Sequence, residues 1–206
     1  MSVKAKSDRV YWEGGVDVQK FADDELFRRL WWRTEGVPGS YTRLNAAVLY
    51  TEACKMADGF GPVVEIGVDQ GRSMSMLLGV GEVTGVRHVL VDSWESVLVE
   101  NKAKVEKLIR EFPRATAEVL HMKSEDAARK MDGVQVGMLH IDACHYSPMV
   151  DKDFEVWLPK LRLGGVVLCH DYASTFDDVT RCVDEYTDGW EDMGSWDSLA
   201  VRRKPL

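Results

Sequence analysis

Apolar positions recur along the chain in two rhythms, and the change between them falls near Gly59 to Pro62. Before that border, residues 24–32 carry Leu26, Phe27, Leu30, Trp31 and Trp32 at helical spacing. Residues 42–56 read as a second helix stopped by Asp58 and Gly59, and Val37, Pro38, Gly39 and Ser40 form the turn between the two. After the border, short apolar runs at 63–66, 88–91, 117–121, 136–141 and 166–169 alternate with helix-like segments at 73–78, 97–112, 124–131 and 150–161. A helix over 177–186 precedes two last strands at 190–193 and 198–203. Buried runs joined by crossover-length segments predict an α/β fold: a doubly wound, mostly parallel sheet of seven strands, with helices on both faces and N-terminal cap helices. Residues 1–58 are then a helical cap within the same domain, and 59–206 the alternating strand and helix core.

With 206 residues, 45% of them hydrophobic, the chain suits one domain that buries roughly 70% of its unfolded surface. A formal net charge of −8 repels phosphate backbones, so no nucleic-acid partner is expected and a small neutral or cationic acceptor fits better. Cys54, Cys144, Cys169 and Cys182 show no Cys-x-x-Cys spacing, and no secretory pattern opens the sequence, so the protein is expected to be reduced and cytoplasmic. No apolar run approaches the ~20 residues of a membrane span.

The chemistry concentrates at strand ends. Glu65-Ile66-Gly67-Val68-Asp69-Gln70-Gly71-Arg72-Ser73 places two glycines at a strand-to-helix turn, where backbone approaches a ligand closely. Its Gly-x-x-x-Gly spacing differs from the Gly-x-Gly-x-x-Gly of dinucleotide sites, and Glu65 and Asp69 add negative charge where a pyrophosphate would sit. A ligand carrying a sulfonium and an ammonium suits that loop. Asp92, ending the next strand, falls where doubly wound folds hold ribose hydroxyls; the plainer reading is a tight turn with Asp92 as a cap.

That loop and two further patterns carry a resemblance: Glu-Ile-Gly-x-x-x-Gly-x-Ser, Ile141-Asp142-x-x-His145-Tyr146, and Gly164-Gly165 followed by His170-Asp171-Tyr172. Together they resemble class I methyltransferases of the small-molecule O-methyltransferase kind, a group that includes catechol and antibiotic-sugar O-methyltransferases. The resemblance covers residues 40–206 and implies a Rossmann-like fold using S-adenosylmethionine. It implies that Glu65, Gly67, Asp69, Gly71 and Ser73 serve the methionine part of the cofactor, that Asp92 holds the ribose, and that Ser124 and Glu125 contact adenine beside Asp142. A helix N-cap is the other reading of Ser124.

By the same resemblance, Asp142 and Asp171 match the positions that hold Mg²⁺ against the acceptor hydroxyl, and His170 stands beside them as a third candidate ligand. An imidazole at His170, where the relatives carry a carboxylate, shifts the preference toward Mn²⁺, Fe²⁺ or Zn²⁺, or removes the metal altogether. His145 is expected to be the general base, with a surface cap as its alternative. Cys144 and Cys169 read as small packing residues, because transfer from a sulfonium needs no enzyme nucleophile. Trp31, Trp32, Tyr41, Arg43 and Trp196 are candidates for acceptor-pocket walls, for packing, or, for the tryptophan pair, for a homodimer interface. The rival classes are a methyltransferase acting on another atom without metal, a nicotinamide-dependent oxidoreductase, and a non-catalytic cofactor-binding subunit.

Overall fold

The computed structural model describes residues 24–95 and 99–206. Two helices, α1 (Glu25–Glu35) and α2 (Arg43–Cys54), precede an alternating β/α core. The core runs β1 (Val63–Ile66), α3 (Arg72–Thr84), β2 (Arg87–Asp92), α4 (Val99–Ile109), β3 (Thr116–His121), α5 (Ser124–Lys130), β4 (Val136–Ile141), α6 (Met149–Trp157), β5 (Leu161–Cys169), α7 (Asp177–Tyr186), β6 (Glu191–Trp196) and β7 (Leu199–Arg203). The start expected for α4, at residues 97 and 98, lies outside the described residues.

The seven strands lie in the order β3-β2-β1-β4-β5-β7-β6. The first five are mutually parallel, and β7 enters antiparallel between β5 and β6. The order reverses between β1 and β4, so the loops leaving those two strands splay apart and open a crevice, where ligands bind in such sheets. Strands β1 and β4 are buried along their whole length, which explains their unbroken apolar character apart from Glu65 and His140.

Alternate strand residues feed two layers. Val64, Ile66, Val89, Leu139, Ile141 and Val167 pack with α5, α6 and α7, while Val63, Met138, Val166 and Leu168 pack with α1, α2 and α3. A smaller cluster around Trp94, Leu90 and Phe112 seats α4. The cap helices are therefore part of the core and not a detachable lid. Trp31 is buried in that core, whereas Trp32, on the opposite side of the same helix, is 74% exposed.

Local contacts fix the cap where it meets the crevice. Thr42 caps α2 through its hydroxyl to Asn45 N and donates to Asp197 Oδ2 at 2.7 Å, while Asn45 Nδ2 donates to Trp196 O at 2.8 Å. Arg72, first residue of α3, donates to Gly39 O at 2.8 Å. Tyr41 is thus clamped between the β6–β7 hairpin and the loop after β1. Among the described residues no helix is long and apolar enough to cross a membrane.

Candidate active site

The backbone at the end of β1 is forced by proximity. Gly67 has φ 86°, and a Cβ there would lie 2.0 Å from Asp142 O, so only glycine lets the β1 and β4 termini cross so closely. Gly71, at φ 87°, starts α3. Asp69 follows Gly67 closely at φ 45°, its carboxylate accepting from Asn101 Nδ2 at 2.7 Å and its carbonyl from the Trp94 indole at 2.9 Å.

Two adjoining cavities open over this loop. The larger, about 640 Å³, is lined by Gly67, Asp69, Asp92, Met122, Ser124 and Glu125. The smaller, about 300 Å³, is lined by Tyr41, Ser73, His145, His170 and Asp171. Gly67, Asp69, Asp142 and Ala143 line both, so the two spaces meet at the crossing of β1 and β4. The expected adenosine residues and the expected acceptor residues are thereby separated into neighbouring chambers.

Not every predicted site residue faces a cavity. Glu65 is fully buried and lines neither; it lies beneath the loop, one carboxylate oxygen taking hydrogen bonds from Ser73 Oγ and from the His140 ring. Gly71 also lines neither, because its place is the first turn of α3. Asp92 combines both of its readings. It lines the larger cavity, yet Oδ2 accepts from the Val68 and Asp69 amides, each at 2.9 Å, and Oδ1 from Trp94 N at 2.7 Å. A carboxylate has about four lone-pair sites, so Asp92 shapes the loop with three and keeps one for a ligand. Ser124 does not cap α5 with its hydroxyl, which instead accepts from the Trp157 indole at 2.8 Å. Trp196 is a core residue at 2% exposure, and Arg43 lies over the Phe27 ring, so neither walls the site; Tyr41 does.

The chemically reactive group is a tight cluster. His145 Nε2 lies 2.8 Å from Asp171 Oδ2, and His170 Nδ1 lies 3.4 Å from Asp142 Oδ1 and 3.3 Å from Asp171 Oδ2. Phe176 stacks on the His145 ring at 4.2 Å, and Tyr41 stacks on His170 at 5.0 Å. On its far side, His170 Nε2 is 3.3 Å from Ser198 Oγ in the β6–β7 turn. Asp171 itself holds φ 61°, a conformation that costs a non-glycine residue on the order of 1 kcal/mol or more.

Charge follows from these distances. The two imidazoles hold Asp171 well below the usual carboxylate range, His145 contributing first. In return the Asp171 carboxylate raises His145, against partial burial. Burial opposes the charge on His170, but Asp142 and Asp171 outweigh it and push that ring up to about 10. Burial, with Asp142 and Glu65 nearby, keeps the Tyr41 phenol protonated.

The donor atoms of Asp142, His170 and Asp171 all lie within 4.8 Å of one another. His145 Nε2 and His170 Nδ1 are both buried without an aligned hydrogen bond; the first meets Asp171 as a close ion-pair contact, and the second faces two carboxylates as an orphaned ligand atom. That donor set fits a divalent cation with mixed nitrogen and oxygen ligands.

Residues that the sequence pattern does not single out complete the arrangement. His140, Phe176, Ser198 and Asp153 all sit at or beneath the cavities. His140 carries one legible signal: it is the only ionisable side chain in an otherwise apolar strand, as Glu65 is in β1, and the two are register partners.

A doubly wound sheet with a glycine-crossed loop, an acid after β2 and a polar cluster after β4 and β5 defines the class I methyltransferase architecture. The family model described as "Methyltransferase domain" matches residues 64–172, just over half of the chain, and the chain belongs to that family, whose members depend on S-adenosylmethionine. No curated protein matches the sequence. Among solved structures, SAH-bound PaMTH1 of Podospora anserina is similar over 100% of this chain and 98% of its own, with TM-score 0.66 and 13% identity. The calicheamicin methyltransferase CalS11 is similar over 92% and 97%, with TM-score 0.64 and 13% identity. The O-methyltransferase of Bacillus cereus in complex with SAH is similar over 97% of each chain, with TM-score 0.62 and 14% identity. At such identities the likeness is one of fold.

Proposed function

We propose that the protein transfers the methyl group of S-adenosylmethionine to a hydroxyl of a small, non-nucleic-acid acceptor, sugar-like or catechol-like. The observation that carries this reading is the His145–Asp171 pair at 2.8 Å, set in the cavity that adjoins the adenosine-sized one. Similar structures bear names of O-methyltransferases, which supports the choice of acceptor atom.

The residues divide the work by chamber. Asp92, with its remaining lone pair, suits ribose hydroxyls, and Ser124 and Glu125 offer polar atoms at the adenine end. Ser73, which gives its proton to Glu65, lines the smaller cavity and keeps acceptor capacity for the methionine end. Bound there, S-adenosylmethionine supplies an electrophilic methyl carbon on a sulfonium. His145 Nε2 meets the Asp171 carboxylate as a close ion-pair contact, and on this reading Nδ1 accepts the hydroxyl proton as the new C–O bond forms and the C–S pair stays on sulfur. Asp171 then stabilises the imidazolium. Phe176 holds the ring in plane.

Metal assistance is a second reading, favoured by the orphaned His170 Nδ1 between Asp142 and Asp171. A divalent cation held by those three would lower the acceptor hydroxyl pKa. Manganese titrated into metal-free protein and followed by electron paramagnetic resonance tests it; a spectrum unchanged from free Mn²⁺ removes the metal.

Calorimetry with S-adenosylhomocysteine and NAD⁺, followed by transfer of labelled methyl to panels of catechols and sugars, tests the main reading. Micromolar binding of S-adenosylhomocysteine with no NAD⁺ response is expected. Tight NAD⁺ binding alone, or methylation confined to nitrogen or carbon acceptors, overturns it.

A further inference from the structure

A buried polar chain runs beneath the smaller chamber and links two parts of its wall, Ser73 at one end and Tyr41 over His170 at the other. Ser73 Oγ donates to Glu65 Oε1, the same oxygen lies 3.1 Å from His140 Nδ1, and His140 Nε2 lies 3.1 Å from the Tyr41 hydroxyl. Tyr41 then stacks on His170 at 5.0 Å, with the rings 21° from parallel. Glu65 and His140 are wholly buried and lie side by side in the β1–β4 register. The proposed methyl transfer uses neither directly, since neither lines either of the two chambers.

The direction of each bond follows from what each group can do. Burial keeps the Tyr41 phenol protonated, so it donates to His140 Nε2, and the His140 proton is then assigned to Nδ1, facing Glu65 Oε1. A buried histidine satisfied on both nitrogens in this way is costly to disturb, because each lost partner leaves a polar atom unpaired in the core. One end of the chain fixes Ser73 at the methionine seat. The other fixes the ring that covers His170, whose Nδ1 must face Asp142 and Asp171.

We propose that His140 is a positioning residue for two walls of the smaller chamber, holding Ser73 through Glu65 at Nδ1 and holding His170 through Tyr41 at Nε2. The inference rests on the cofactor reading above.

The imidazole can be cut at either nitrogen. Asparagine places its amide nitrogen where Nδ1 was, so His140→Asn keeps the link to Glu65 and loses the one to Tyr41. Glutamine reaches the Nε2 position, so His140→Gln does the reverse. Tyr41→Phe keeps the ring and removes only the hydroxyl. Two readouts report the two ends: calorimetry with S-adenosylhomocysteine, and nitrogen-detected histidine ring spectra with ring-to-ring nuclear Overhauser effects between residues 41 and 170.

The expected pattern is crossed. His140→Gln weakens S-adenosylhomocysteine by roughly tenfold to a hundredfold and keeps the 41–170 contacts, as expected when a hydrogen bond to a charged group is lost. His140→Asn and Tyr41→Phe bind it within about threefold of wild type, by the same conversion, yet lose those contacts and shift the His170 ring signals. In wild type, His140 shows the Nδ1–H tautomer. A purely structural role predicts that all three variants lose thermal midpoint and cofactor affinity in parallel, and that result overturns the proposal. So does an Nε2–H tautomer for His140. If the wild-type protein does not bind S-adenosylhomocysteine while the ring contacts obey the pattern, the cofactor reading fails and the Tyr41–His170 half of the inference stands.

Discussion

His145 Nε2 stands 2.8 Å from Asp171 Oδ2, an imidazole and a carboxylate brought together from loops that follow different strands, β4 and β5. The contact changes what Asp171 is for. On the proposed function, Asp171 orients the base and carries its charge after proton transfer, whether or not it also faces a cation. With an accepted hydroxyl substrate, His145→Ala should lose roughly 10²- to 10⁴-fold in kcat while S-adenosylhomocysteine affinity stays unchanged. An alanine variant that keeps full rate excludes His145 as the base.

The same pair sets a pH dependence. His145 accepts a proton only when neutral, and Asp171 raises its pKa above the ordinary 6.5. The acid limb of log kcat against pH should therefore lie above pH 6.5. Asp171→Asn removes the carboxylate, so that limb should move to lower pH while the plateau falls. A limb that stays in place would show that another group controls it.

Gly67→Ala should be poorly tolerated. The added methyl would meet Asp142 O at 2.0 Å, with φ at 86°. Separating β1 from β4 enough to relieve that contact displaces both walls shared by the two cavities. A loss of S-adenosylhomocysteine affinity of about tenfold or more is expected by calorimetry, with a lower thermal midpoint.

Two buried groups away from the reacting centre pull the acid stability in opposite directions. Burial lowers His88 to about 4, so the folded state keeps it neutral while the unfolded chain takes up a proton below 6.5; stability is lost as pH falls from 6.5 to about 4. Burial raises Asp153 to about 6, so the folded state binds its proton first and stability is gained as pH falls from about 6 toward 3.8. Each effect amounts to roughly 3 kcal/mol, because a tenfold difference in proton affinity between folded and unfolded chains is worth about 1.4 kcal/mol. Urea midpoints measured at about pH 7 and about pH 5, which bracket the onset of both protonations, should show His88→Leu less acid-sensitive than wild type and Asp153→Asn more so. Identical slopes in all three proteins would remove both assignments.

Strand positions were legible in the sequence because their burial is one-dimensional. The runs at 63–66 and 136–141 coincide with β1 and β4 residue for residue. Helix α3 runs on to Thr84, beyond the expected 73–78, because Gly79 and Gly81 look like stops. They are packing positions: a Cβ at Gly79 would meet Leu30 at 2.3 Å and one at Gly81 the His88 ring at 2.7 Å. Similarly, β5 begins at Leu161, ahead of the apolar run at 166–169, because Leu161 pairs with Val136 before a bulge that holds Arg162, Leu163 and Gly164, none of them fully buried.

The site was legible where residues follow strand ends, as with Gly67, Asp142 and His145. It was not legible where the partnership depends on register across the sheet. Spacing alone places Glu65 beside the loop and so at the cavity, but only the β1–β4 pairing reveals that it faces His140 beneath that loop. Tyr41 is further removed still, since its place depends on α2 docking to the β6–β7 turn through Thr42 and Asn45.

The partition between the two cavities is thin, consisting of Gly67, Asp69, Asp142 and Ala143. One molecule with an adenosine at one end and a catechol or sugar at the other could therefore occupy both chambers at once. Joining the two pieces makes the second contact intramolecular, so such a bisubstrate compound would outbind either half without any new interaction. Its linker would have to pass the one residue there that has no side chain.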